Sequence, residues 1–137
     1  MSTEKVTIFT DGASKNNPGP SSIGVVIKDQ QGQTISRISK AIGYGTNNQA
    51  EYKAIIAALE EAFRLGARQV RLNSDSELVI RQLQGRYRVK NAALKPLHQR
   101  VRQLSSRLEG FTASYVPRRR NTEADKLTNM ALDGAVD

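Results

Sequence analysis

Four carboxylates stand in four short, separate motifs. They are Asp11 in Thr10-Asp11-Gly12, Glu51 in Thr46-Asn47-Asn48-Gln49-Ala50-Glu51, Asp75 in Ser74-Asp75-Ser76, and Asp125 in Asn121-Thr122-Glu123-Ala124-Asp125. Taken singly, Glu51 and Asp125 read as helix-capping acids, because Asn48-x-x-Glu51 and Thr122-x-x-Asp125 each place an acid three residues after a capping side chain. Asp11 resists that reading, since it follows a strand-like run and precedes no helix. Asp75 falls where a strand passes into a helix. Four carboxylates gathered at one sheet edge could not all stay ionised without cations between them. Oxygen-only ligation, with no His or Cys in the set, favours Mg²⁺ or Mn²⁺ over Zn²⁺.

The rest of the chain points to a polyanionic partner. Its formal net charge is +8, and residues 64–126 hold 15 Lys/Arg against 5 Asp/Glu. Within that half, residues 78–107 carry eight cations (Arg81, Arg86, Arg88, Lys90, Lys95, Arg100, Arg102 and Arg107) and no acid. A one-sign stretch of this kind raises the local anion concentration, although a solvated helix face would show the same composition. An acidic metal site inside a basic surface implies phosphate chemistry on nucleic acid.

Composition narrows the classes further. With no cysteine there is no disulfide framework, thiolate metal site or thiol nucleophile. No apolar run approaches the roughly 20 residues that span a bilayer. Met1-Ser2-Thr3-Glu4-Lys5 lacks a signal-peptide pattern, so a cytoplasmic protein without membrane contact is expected. At 137 residues, the chain is read as one domain, 1–137, acting as a monomer.

The elements that must position the acids follow from periodicity. Val6–Thr10 alternates as a strand that should stop at Asp11-Gly12. Ile23–Lys28 is a second strand, turned at Asp29-Gln30-Gln31-Gly32 into a third near Thr34–Ile42, so antiparallel pairing is expected. From Asn48 to Leu65, the residues Ala50, Ala54, Ile55, Ala58, Leu59, Ala62 and Phe63 form one helical stripe, ended by Gly66. A strand at Gln69–Asn73, helices at Ser76–Leu83 and Leu94–Leu108, a strand at Phe111–Val116 and a helix at Thr122–Leu132 complete the order βββαβααβα. The class is α/β, a mixed sheet covered by helices. Ligands in such sheets gather beyond the carboxyl ends of adjacent strands, where Asp11 and Asp75 would meet.

Set in this order, Thr10-Asp11-Gly12-Ala13-Ser14 with Asn17-Pro18-Gly19, Thr46 to Tyr52, Ser74 to Val79, and Val116-Pro117-Arg118 with Asn121 and Ala124-Asp125 resemble type 1 ribonuclease H from about Val6 to Ala131. The resemblance implies a five-stranded mixed sheet, with strands 1–3 antiparallel and strands 4 and 5 parallel to strand 1. It implies hydrolysis of the RNA strand of RNA/DNA hybrids by two divalent ions, without sequence specificity, leaving 5′-phosphate and 3′-hydroxyl ends. Asp11, Glu51, Asp75 and Asp125 match the family's catalytic acids. Asp11 would touch both ions, Asp75 and Asp125 would hold the ion that activates water, and Glu51 would help hold the second. Asn17, Asn48, Gln49, Ser76 and Glu77 match residues that meet the 2′-hydroxyl, the group that separates RNA from DNA. Thr46 and Asn47 match residues that hold a DNA-strand phosphate.

Two departures from the family pattern stand out. Where many members carry a loop histidine, this chain has Pro117-Arg118-Arg119-Arg120-Asn121, so Arg118 is expected to contact phosphate and turnover or metal preference to change. His98, the single histidine, lies mid-helix. The basic handle of some relatives shrinks to Arg86-Tyr87-Arg88-Val89-Lys90-Asn91-Ala92-Ala93, leaving Arg86, Arg88 and Lys90 to grip the hybrid. Competing readings are a non-catalytic nucleic-acid-binding domain and a nuclease of the same fold acting on double-stranded RNA or on DNA junctions.

Overall fold

The computed structural model describes residues 3–134. Met1 and Ser2, part of the segment read for a signal peptide, lie outside that range. The strands are β1 (Lys5–Ser14), β2 (Gly19–Lys28), β3 (Thr34–Gly45), β4 (Gln69–Ser74) and β5 (Gly110–Tyr115). The helices are α1 (Asn47–Arg64), α2 (Glu77–Leu83), α3 (Lys95–Ser105) and α4 (Thr122–Gly134), with a short 3-10 turn at Arg118–Arg120. One sheet forms in the order β3-β2-β1-β4-β5. β1, β2 and β3 pair antiparallel, whereas β4 is parallel to β1 and β5 is parallel to β4.

Strand chemistry explains this order. β2 is buried from Ser21 to Ile27, and an apolar run covered on both faces suits the interior of a sheet. On one face, Ile8, Val25, Ile27 and Leu72 pack with Tyr52, Ile55 and Leu59 of α1, and α3 adds Val101 and Leu104. On the other face α4 buries Ala124, Thr128 and Leu132. α1 ends where Gly66 turns to φ 87°, its N–H returning to the Phe63 carbonyl at 3.0 Å.

β1 does not stop at Asp11-Gly12. Its parallel pairing with β4 ends at Thr10↔Ser74, but its antiparallel pairing with β2 continues through Asp11↔Gly24 to Ser14↔Ser21. Asp11 therefore sits inside a strand, at the point where one of that strand's two neighbours departs. α3 also closes three residues earlier than periodicity predicts. Arg107 and Leu108 donate to carbonyls only three residues back, and the Ser105 and Ser106 hydroxyls bond to the Arg102 and Gln103 carbonyls.

Candidate metal and nucleic-acid site

The carboxylates converge where β4 ends and its pairing with β1 stops, beside Asp11 within β1. One oxygen each from Asp11, Glu51 and Asp75 lies within 4.8 Å of the others. Asp11 and Asp125 line the same cleft, together with Asp75, Asn47, Tyr115, Arg118 and Asn129. Asp11 is 8% exposed and Glu51 7%, whereas Asp75 and Asp125 are half-buried.

Two glycines permit this convergence. A Cβ on Gly12 would come within 2.3 Å of the Ala50 backbone, and one on Gly24 within 2.2 Å of the Ala124 carbonyl oxygen. The amino-terminal turns of α1 and α4 thus press directly onto neighbouring strands, from opposite faces of the sheet. Glu51 is carried over Gly12, whose N–H donates to its carboxylate. Thr128, one turn beyond Asp125, donates to the Asp11 carbonyl at 3.3 Å.

Glu51 does not cap α1. Thr46 is the N-cap, its hydroxyl accepting from the Gln49 N–H at 3.1 Å, while the Gln49 side chain accepts from the Thr46 N–H at 2.8 Å. With Thr46 and Gln49 capping the helix, Glu51 is left to face the other acids. In α2 the cap is Ser76. Asp125 does lie in the first turn of α4, so helix-dipole stabilisation and the cleft draw on the same residue.

The electrostatics register the crowding. Asp11 is pushed up to about 7 by burial first and then by the charge of Asp75; the Thr128 hydrogen bond opposes this, Asp125 adds a smaller upward push, and Arg118 a still smaller downward one. Glu51 is raised well above its ordinary range by burial, Asp11 and Asp75. Asp75 is raised by burial and Asp125, with Arg118 and Asn121 opposing. Three acids that resist ionisation together are the donor set a hard divalent cation satisfies. The residues present therefore fit such a cation.

The other predicted residues divide into two groups. Asn17, Thr46, Asn47 and Gln49 form one cluster: Asn17 accepts from the Asn47 N–H at 2.9 Å, and Asn47 accepts from the Ser14 N–H at 2.7 Å. Asn48 is half-buried in the same turn. Ser76 and Glu77 stand beyond Asp75 at the start of α2, where Glu77 pairs with Arg81 at 3.6 Å. Arg118 lies 3.6 Å from Asp125 and lines the cleft. Arg86 and Arg88 line a separate basic groove with Lys95 and Arg102, not with Lys90. His98 is half-buried against the edge of Tyr52, with ring centroids 6.2 Å apart. Tyr115 and Asn129 are cleft residues that periodicity did not reveal. Only the register Ser74↔Tyr115 and the one-turn offset of Asn129 from Asp125 bring them there.

This fold and acid set define a class, the ribonuclease H-like nucleases. A family model described as "Reverse transcriptase-like" matches residues 9–131. Ribonuclease HI of Halobacterium salinarum is 40% identical over 131 residues, covering 96% of this chain and 66% of that protein. The crystal structure of the H. salinarum RNase H1 superposes with a TM-score of 0.93 at 40% identity, covering 96% of this chain and 99% of that one. LC11-RNase H1, solved in complex with an RNA/DNA hybrid, gives a TM-score of 0.92 at 40% identity, with 96% and 99% covered. The bifunctional protein Rv2228c of Mycobacterium tuberculosis is 43% identical over 132 residues, 96% of this chain but only 36% of that relative's length. The chain belongs to the type 1 ribonuclease H family.

Proposed function

We propose that this protein is an endoribonuclease that hydrolyses the RNA strand of RNA/DNA hybrids with two Mg²⁺ ions, Mn²⁺ being an alternative. The observation that carries the reading is the trio Asp11, Glu51 and Asp75, drawn within 4.8 Å where β4 leaves β1, inside a chain of charge +8. Asp11, Glu51, Asp75 and Asp125 would hold the ions. Bound there, divalent ions supply positive charge to both the attacking and the leaving oxygen of an in-line phosphoryl displacement. The products expected are 5′-phosphate and 3′-hydroxyl ends.

The chain's own residues orient the duplex. Asn17, Asn48, Gln49, Ser76 and Glu77 flank the acids with hydroxyl, amide and carboxylate groups able to bond a 2′-hydroxyl, which is both donor and acceptor. Thr46 and Asn47 offer polar groups to a phosphate of the DNA strand. Arg118, beside Asp125 and largely exposed, fits a phosphate of the RNA strand. These contacts address backbone and sugar, so cleavage is without sequence preference. Residues 1–137 act in this reading as one catalytic domain, monomeric and cytoplasmic, with no membrane partner. Among the described residues no helix is long and apolar enough to cross a membrane.

The test is cleavage of matched RNA/DNA hybrid, double-stranded RNA and double-stranded DNA in Mg²⁺ and in Mn²⁺. Metal-dependent cleavage of the hybrid's RNA strand is expected. Equal cleavage of double-stranded RNA would move the reading to a broader nuclease. Salt-dependent binding with no product would leave only a binding domain.

A further inference from the structure

Tyr115 is the last residue of β5 and, unlike the residues it alternates with, is uncovered. Phe111 and Ala113 share its sheet face and pack against the core, because residues two apart on a strand point the same way. At the strand end that cover runs out, leaving Tyr115 44% exposed. It lines the carboxylate cleft together with Asp11, Asp75, Arg118 and Asp125. Its register partner is Ser74, the residue before Asp75, and Tyr115 and Asp75 line the same cleft just ahead of Ser76 and Glu77 in the chain. Val116 fixes this position: its N–H donates to the Ser74 carbonyl at 3.0 Å, and it is buried.

An aromatic ring here has a specific use. In a base-paired duplex the bases are stacked on each other, so a side chain approaching the backbone meets sugars and phosphates. A ribose presents an apolar C–H face, and a tyrosine ring buries apolar surface against it with little loss of side-chain freedom. We infer that Tyr115 is a substrate-binding residue whose ring packs against a ribose of the RNA strand, beside the segment that meets its 2′-hydroxyl. This rests on the hybrid-cleaving reading and extends it, since it assigns the wall of the cleft between Asp75 and Arg118 to the sugar. The contact is independent of sequence, as the polar contacts around it are.

Three proteins test it: wild type, Tyr115→Phe and Tyr115→Ala. Each is measured by steady-state cleavage of a hybrid and by anisotropy with labelled hybrid and with the DNA duplex of the same sequence. Tyr115→Ala should raise KM and the hybrid Kd about tenfold, leaving kcat and the Mg²⁺ half-saturation within about twofold. Tyr115→Phe should match wild type, and affinity for the DNA duplex should change by less than about twofold. Wild-type KM and Kd in Tyr115→Ala would overturn the assignment, as would a Tyr115→Phe defect equal to that of Tyr115→Ala, which would locate the contact in the hydroxyl. If wild type binds hybrid but never cleaves it, the nuclease reading fails, while the binding measurements still decide the role of Tyr115.

Discussion

The carboxylate cleft and the basic groove between α2 and α3 are opposite solutions to carrying charge. In the cleft Asp11 and Glu51 are almost wholly removed from water, and burial is the largest cause of their raised proton affinity. In the groove Arg86, Arg88, Lys95 and Arg102 remain exposed. A buried charge interacts strongly and at fixed geometry but destabilises the fold that holds it. An exposed charge interacts weakly, is screened by salt and tolerates imprecise placement. The first arrangement suits chemistry and the second suits grip on a polyanion, and under the proposed function the two lie at separate places.

The sharpest way to break that contrast is to neutralise a cleft acid. Asp75→Asn should retain the fold by circular dichroism yet lose about 10³-fold in Mg²⁺-dependent cleavage rate. Near wild-type cleavage would remove the acids from the reaction.

Next in size is the close helix approach that builds the cleft. Gly12→Ala should cost roughly 1–3 kcal/mol or more in denaturant unfolding, because backbone rather than a flexible side chain opposes the added methyl. An unchanged midpoint would mean that α1 is free to move away.

Third is pH. Asp11 has a folded-state value of about 7 against an ordinary 3.8, so between those limits the metal-free folded protein binds more protons than the unfolded chain. Stability should therefore fall as pH rises from about 4 to about 7. Added Mg²⁺ should raise Tm more at pH 8 than at pH 5, which calorimetry at the two values would check. An equal Mg²⁺ effect at both would uncouple the ions from these acids.

The smallest effect belongs to the groove. Arg88→Ala should raise KM a few-fold, leave kcat unchanged and reduce the slope of log KM against log salt by about one. A change in kcat would show that the two regions are not separate.

Much of the fold was legible in the sequence because a short apolar run bounded by turn residues and a long helical stripe are distinct signals. The Ile23–Lys28 and Ala50–Phe63 patterns each have one reading, and the parallel placement of β4 follows once α1 serves as a crossover. Asp11-Gly12-Ala13-Ser14 was harder, since small polar residues look like a turn. Only the distant partner Ser21–Gly24 makes them a strand. The choice between capping boxes also had two candidates in one segment, Thr46-x-x-Gln49 and Asn48-x-x-Glu51. What decides it is Gly12 drawing Glu51 toward β1, a contact across 39 residues. Tyr115 was invisible for the same reason: its place in the cleft depends on the β4–β5 register and on where helical cover stops.

The cleft takes Asp11 from the first strand and Asp125 from the last helix, with Glu51 and Asp75 between them in the chain. No contiguous piece that omits either end holds all four acids. The four acids come together only once α4 has packed onto β1, β2 and β3, so the site is assembled by long-range packing rather than by any local segment.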